Sequence, residues 1–540
     1  VWATDVSYIP LARGFMYLVR MGSTSHYTHD KIKKTKKDEL SHESLAANIR
    51  KEPDMPREWL RRLPSRAFWS INRCGVRWLT LLCDVWRHSF VRYACYVALG
   101  VWALAADPFT LSSTSDRALS REYQNIHVRL SGVETAPLTV VMIDAQSIRE
   151  LHAGGLGWMS SDDWPLNYND HARLITDLTV NQPHPPSTLF YDVFFEVPRS
   201  SSGDLGRLGT RISRLSNQAN LAALFFAGGG SPMPISELSY QLLAEPRVAP
   251  TSWSGHGDDY PMTAPVPFQD SDRVDVMPTP AVALYQALCD AEERSCDWLT
   301  PSEAPDLSLQ WAARAAPECV PEEPFTRTRA LLKRFSQGVL QGLYGRAEPH
   351  HLSPTCLPIH LVRASQLYGN EPVSLVPPGI DEGAPYAVMV GVVMPSTLDY
   401  VTTPIYEQLP GVLLHAVAFE NLWRLESDYF RYSDMTLWGI GAWCLTVLLF
   451  MQQAKRRQHS PPRSKILMFL LWWLVITLAV LFLQGVFYSL MRVVPEGWLS
   501  LIAVIPLLRE VVLRNEAATL QLKEKKIVTN KKAFTSEKTP

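Results

Sequence analysis

The chain has 540 residues, with 52 Lys and Arg against 53 Asp and Glu and a formal net charge of -1. That balance excludes the global basic field of a nucleic-acid-binding protein. The length would suggest three or four domains in a soluble chain, but the apolar stretches below reduce that count.

Residues 1–20, VWATDVSYIPLARGFMYLVR, read as two short strands. Val6, Tyr8 and Ile9, then Phe15, Tyr17, Leu18 and Val19, are β-formers separated by a turn around Ala12, Arg13 and Gly14. The wording resembles the first strand pair of the catalytic domain in insertion-sequence transposases of the DDE class, with Asp5 at the position of the first metal-binding carboxylate. A two-metal site needs further carboxylates on the same sheet, whereas a lysine-rich polar segment follows Arg20. The expectation is a transposase remnant without a metal site, with Met21 as a natural start.

Residues 21–88 are basic, from Lys31 and Lys33 to Arg73 and Arg77, and read as a cytosolic flank with an interfacial helix near Trp59 to Trp69. Four apolar segments follow at 89–106, 435–451, 466–491 and 493–513, the last built on the short run WLSLIAVIPLL at 498–508 with Val493, Val494 or Val511 to Leu513 helping it to cross. Basic residues at 452–465 and 509–532 place those segments in the cytosol. Four crossings then put residues 107–434 outside it and leave 514–540 as a cytosolic tail, the arrangement of a multi-pass protein of a bacterial inner membrane with a large periplasmic or external domain.

Cys74, Cys83, Cys95 and Cys444 lie in or beside the apolar segments, whereas Cys289, Cys296, Cys319 and Cys356 lie in the exported region. Four cysteines in an oxidising compartment predict disulfides, with three connectivities open. Zinc is the competing use, but no C-x-x-C pair occurs.

Within the exported region, 116–130 mixes polar and apolar residues at roughly helical spacing. LTVVMI at 138–143 reads as a strand covered on both faces and ends at Asp144. Ser147 to Glu150 offers a capping-box helix start, and 170–180 has helical spacing. Strands are expected at 187–195, 221–226 and 386–394, and helices at 281–293, 327–343 and 412–424. Residues 228–280 and 297–327, rich in turn formers, read as long loops. The fold class is an α/β domain with a mixed or parallel sheet flanked by helices, plus about four transmembrane helices.

The runs LTVVMIDAQSI, DDWPLNYNDHARLITDL, LFYDVFFEVP, DYVTTPI and LPGVLLHAVAFENLWR occur in that order, and over residues 116–433 they resemble the type-two CHASE family. That resemblance implies an extracytoplasmic sensor domain with one membrane helix before it and about three after it. Family members usually continue into a cyclase, diguanylate cyclase or kinase, and here only residues 509–540 follow the last apolar stretch.

Asp144, Asp192, Asp399 and His415 match family positions and are candidates for one ligand pocket. The structural alternative has Asp144 capping a helix, Asp192 accepting backbone bonds and His415 packing as a satisfied histidine. Trp164-Pro165, Pro404 and Gly411 read as turn and packing residues. No phosphate-binding loop, H-E-x-x-H or kinase loop set occurs, so no cofactor and no catalytic activity are expected. The first functional reading is a membrane sensor that binds an extracytoplasmic ligand and passes the signal to a separate cytosolic protein, with room for a homodimer in the bilayer. A structural or scaffolding subunit of an envelope complex is the second reading. A transporter is the third, but its path would need charged residues that the apolar stretches nearly lack.

Overall fold

The computed structural model describes residues 2–11, 14–23, 89–106, 129–131, 136–153, 157–195, 202–216, 223–230, 234–236, 248–252, 259–269, 271–316, 318–319, 352–368, 371–394, 399–403, 405–406, 408–456 and 465–496, with isolated positions between 505 and 528. The chain divides into two units, Val1–Val85 and Trp86–Pro540. In the first, β1 (Trp2–Leu11) and β2 (Gly14–Ser23) form an antiparallel hairpin with Asp5 opposite Arg20. This is the strand pair its β-formers predict, extended past Arg20 to Ser23. The interfacial helix expected near residues 59–69 lies outside the described residues.

The second unit begins with α1 (Ser89–Ala106), β3 (Arg129–Ser131), β4 (Leu138–Asp144), α2 (Ala145–Ala153), α3 (Tyr168–Thr179), β5 (Thr188–Asp192), α4 (Ser202–Ser216), β6 (Ala223–Gly230) and β7 (Val248–Ser252). Short strands β8 (Asp259–Tyr260), β9 (Thr263–Pro267) and β10 (Val274–Pro278) precede α5 (Pro280–Ala291), β11 (Leu307–Ser308), β12 (Ala312–Arg314) and β13 (His360–Arg363). The α/β part closes with β14 (Ala387–Val393), β15 (Tyr400–Thr402), β16 (Gln408–Pro410), α6 (Gly411–Leu425) and β17 (Arg431–Asp434). Helices α7 (Thr436–Arg456) and α8 (Lys465–Val486) follow, then a π-helical turn at Phe487–Met491 and β18 (Val493–Glu496).

Six strands make one parallel sheet in the order β13-β4-β14-β5-β6-β7. Leu138, Val140, Phe190 and Met389 face α5 and α6, where Leu284, Leu288, Ala416 and Phe419 complete one core. The alternate residues Val141, Ile143, Leu189 and Val390 face α2, α3 and α4, meeting Ile148, Leu174, Leu208 and Ile212. With both faces covered, central strands become continuous apolar runs, which is why β4, β5 and β14 were legible. The late strand β14 separates β4 from β5. These two strands therefore do not pair as consecutive strands usually would.

Several expectations need correction. Helix α2 starts at Ala145, two residues before the proposed capping box, because Asp144 Oδ1 accepts the Ser147 N–H at 2.6 Å and caps the helix itself. Strands β7 and β13 and helix α4 occupy stretches read as loop or left unassigned. At 129–131 the chain pairs with β12 as a strand rather than continuing a helix, and the helix expected at 327–343 lies outside the described residues. Val493–Glu496, expected inside the fourth apolar helix, is an edge strand parallel to β17. Two β-branched residues favour that strand, and Pro495 is tolerated at an edge.

Two disulfides form, Cys289–Cys296 and Cys319–Cys356. Among the described residues, one helix is long and apolar enough to cross a membrane, at Thr436–Gln453, and α1 supplies a shorter apolar helix. Both expose large apolar side chains, including Phe90, Leu99 and Trp102 on α1 and Leu437, Trp438 and Leu445 on α7. The same holds for Leu470, Leu474 and Phe482 on α8. Helices α1 and α7 pack closely at Gly100, where a Cβ would fall 1.8 Å from Trp443 Nε1. That indole donates to the Tyr96 carbonyl at 3.1 Å.

Candidate functional site

Strands β5 and β14 pair so that Asp192 lies opposite Gly391. By strand alternation Asp192 shares its face with Phe190, on the side of the sheet covered by α6. Gly391 lets that helix approach, since a Cβ there would lie 2.4 Å from Val412 Cβ. A second glycine completes the corner. The Asp399 carboxylate lies so close to the first residue of α6 that a Cβ on Gly411 would be 2.4 Å from Asp399 Oδ1. The Gly411 N–H donates to the Asp399 carbonyl at 3.0 Å. Gly411, read as a turn residue, is thus what admits the carboxylate.

Asp192 and Asp399 form an electrostatically linked acid pair. Burial, then the neighbouring Asp399 charge, push the Asp192 carboxyl well above the usual carboxylate range. Burial also raises Asp399, opposed by a backbone hydrogen bond from Gly411. Asp399 is exposed and Asp192 partly accessible, so the pair is open to solvent on the Asp399 side and Asp399 is the better screened by water.

One turn into α6, His415 is buried, with its ring edge-on to Phe190 and to Tyr260. Burial lowers its pKa to about 3, so the ring is neutral at pH 7. His415 Nδ1 lies 2.8 Å from the Tyr260 hydroxyl. That hydroxyl also accepts the Ala281 N–H at 3.1 Å. Burial and the Asp192 charge both raise the tyrosine's pKa, tying Tyr260 to the acid pair as well.

The structure therefore brings Asp192 and Asp399 together, sets His415 one turn into α6 beside Phe190 and Tyr260, and leaves Asp144 apart from them. Asp144 is two strands from Asp192, about 10 Å at ordinary strand spacing. It caps α2 and faces Arg363, Nε to Oδ2 3.4 Å. Sequence reasoning missed Tyr260, which sits in a Gly- and Pro-rich stretch without periodicity. It also missed Glu420, although an acid among the apolar residues of a predicted helix was a readable signal.

Glu420 is buried on α6 and pairs with Arg129 and with Arg424, the latter at 2.7 Å. Burial raises its pKa, while the two arginines oppose the rise. Beside it, Asn421 receives the Gln310 N–H at 2.7 Å and donates to the Gln310 carbonyl at 2.9 Å. The Gln310 side chain accepts from Tyr488 in the π-helical turn after α8. A four-stranded sheet, β18-β17-β11-β8, runs alongside. Its β8 carries Tyr260, and β17 leads directly into α7.

Among the described residues no three His, Cys, Asp or Glu side chains converge as a metal-binding set. What this arrangement can do chemically is hold or release a proton, or receive a ligand, at the acid pair. No curated protein and no solved structure matches the chain. From within α1 to within α7, residues 97–452 match the family model of the CHASE2 domain, and the chain belongs to that family of extracytoplasmic sensor domains.

Proposed function

We propose that this protein is a multi-pass sensor of a bacterial inner membrane, in which the exported α/β domain detects a signal and a separate cytosolic protein receives it. The observation that carries the reading is the continuity of α6. Its first turn starts with Gly411 against Asp399 and leads to His415, and its last turns hold Glu420 against Arg129 of β3 and Asn421 against Gln310, whose side chain meets Tyr488 just after α8. Fifteen residues span about 22 Å as one rigid rod at 1.5 Å per residue. A displacement at one end must therefore appear at the other. A ligand or proton that favours one of two α6 positions would shift the equilibrium between them, and the small sheet through β8 and β17 gives the shift a second route to α7.

In this reading α1, α7, α8 and an apolar segment after β18 cross the bilayer, and the chain has no catalytic activity or cofactor of its own. The scaffold alternative needs no moving α6. Purification of the full chain in mild detergent tests the difference. A cytosolic signalling enzyme retained with the wild type, in an amount altered by Asp192→Asn, is the expected outcome. Retention of envelope proteins alone, unchanged by that substitution, would overturn the sensor reading.

A further inference from the structure

The antiparallel hairpin of β9 and β10 has two apolar faces. On the inner one, Val266, Phe268 and Met277 join Val248 of β7 in a small core. On the outer one, Val274 and Val276 of β10 are 54% and 66% exposed. Val276 stands opposite the exposed Pro265, and Val274 opposite Pro267. By strand alternation these four residues share one side of the hairpin.

The two edges of the hairpin differ. Pro265, Pro267 and Pro278 have no N–H to give, so the hydrogen-bonded pairs in this register can only be Asp275 with Val266 and Met277 with Ala264. The bonds at either end agree, since the Phe268 N–H donates to the Arg273 carbonyl at 3.1 Å and the Thr279 N–H to the Met262 carbonyl at 3.1 Å. The backbone groups of Val274 and Val276 therefore point away from β9. Among the described residues, no backbone hydrogen bond meets them there and no further strand pairs with β10. The outer edge of β9, by contrast, is blunted by its two prolines, and the Pro267 carbonyl accepts the Ile235 N–H at 3.0 Å.

An edge with outward amide groups and an apolar flank is a template for another strand. We propose that β10 is a self-association edge, which pairs antiparallel with β10 of a second copy of this chain about a two-fold axis at Val274. Charge and proline placement select that copy and that register. An axis at Asp275 would set the carboxylate directly opposite its symmetry mate, a like-charge pair. An axis at Val276 would set Val274 opposite Pro278, which cannot donate. The axis at Val274 sets Arg273 of each copy opposite Asp275 of the other, in the closely spaced non-hydrogen-bonded pairs, and brings the two Val274 side chains together. Arg273 lies over the Phe268 ring at 4.5 Å and is joined to Asp275 within the chain, Nε to Oδ1 at 3.1 Å. Two copies would extend that pair into a ladder of four alternating charges, an isologous contact. The pairing uses neither the acid pair nor a cytosolic partner, so it stands or falls apart from the sensor reading.

Sedimentation of the full chain in mild detergent at increasing concentration reads self-association, and the wild type is expected to pass from monomer to dimer. Val274→Lys places like charges opposite each other at the axis and should weaken the association by about tenfold. Val180→Lys, at an exposed valine elsewhere, should leave it unchanged. Arg273→Asp should weaken it too, and adding Asp275→Arg, which restores both charges in swapped order, should recover it. Because Val274 is exposed, Val274→Lys should melt like the wild type in dilute, monomeric samples. A second readout locates the contact. Hydrogen-bonded antiparallel partners have Cα atoms about 5.5 Å apart, within disulfide range, so Val274→Cys should form a covalent dimer on mild oxidation and Val180→Cys should not. A chain that stays monomeric, a dimer that Val274→Lys leaves unchanged, or a Val274→Cys protein with no more covalent dimer than the wild type overturns the proposal.

Discussion

Gly391→Ala is the most direct test of how the acid crevice is built. The new methyl carbon would lie 2.4 Å from Val412 Cβ and Cγ1 and 2.8 Å from Cγ2. Carbon atoms rest at about 3.5–4.0 Å, so roughly 1 Å of space is missing. Val412 is buried and β-branched, with little rotamer freedom, so the relief must come from movement of α6 away from β14. Overpacking of this kind costs about 1–3 kcal/mol. At about 2–4 °C per kcal/mol for domains of 150–250 residues, thermal unfolding followed by tryptophan fluorescence should show a loss of several degrees. A double-mutant cycle isolates the cause. Val412→Ala removes both Cγ atoms but keeps the Cβ at 2.4 Å, so it should rescue Gly391→Ala only partly, whereas Val412→Gly should rescue it further. A Gly391→Ala protein that melts within about 1 °C of wild type, or equal behaviour of the two partners in the cycle, would refute the account of α6 packing.

Replacing Cys319 and Cys356 by serine removes the larger disulfide loop, of sequence separation 37, and should cost about 4 kcal/mol by the chain-entropy argument. The Cys289–Cys296 loop, of separation 7, should cost about 2 kcal/mol, so the order of the two losses in thermal melts checks the pairing. Because His415 has its folded pKa lowered to about 3, the unfolded chain binds the extra proton below pH ~6.5, and this contribution to stability is lost as pH falls from there towards 3. Asp192 is raised, so its contribution is complete below its unfolded value near 3.8 and is lost as pH rises through the higher folded value. Asp192→Asn should accordingly flatten the loss on the alkaline side in melts across pH and leave the acid-side loss in place. Glu420→Ala should cost about 3 kcal/mol, the low end for breaking a buried pair, since Arg129 and Arg424 keep 36% and 24% side-chain exposure. Arg129→Ala should cost less because Arg424 still faces the carboxylate, and the reverse order would contradict the network.

The sheet was legible where two covered faces forced continuous β-branched or aromatic runs, as in LTVVMI and YAVMVGVVM. It was illegible at β13 and β7, where His360, Arg363, Pro250 and Ser252 interrupt the pattern because each strand lies at a sheet edge. Helix α4 was hidden because Gly203, Gly206 and Gly209 lower its helical propensity, and its Leu205, Leu208 and Ile212 stripe is buried only by tertiary packing. Asp192 and Asp399 meet because Gly391 lets α6 approach the sheet and Gly411 leaves space for the Asp399 carboxylate. Asp144 fell outside because residues at equivalent strand ends need not be neighbours once a late strand comes between them.

That late strand also governs how the domain can be made. Leu138 pairs with Ala387, and a chain emerging at about 5–20 residues per second needs roughly 10–50 s to deliver the intervening ~250 residues. Throughout that interval the open edges of β4 and β5 have no central partner. Delayed long-range pairing of this kind slows folding and exposes edges to association with other chains. The half-formed sheet is therefore a natural client for chaperones, and the yield of folded protein during synthesis should depend on holdase capacity.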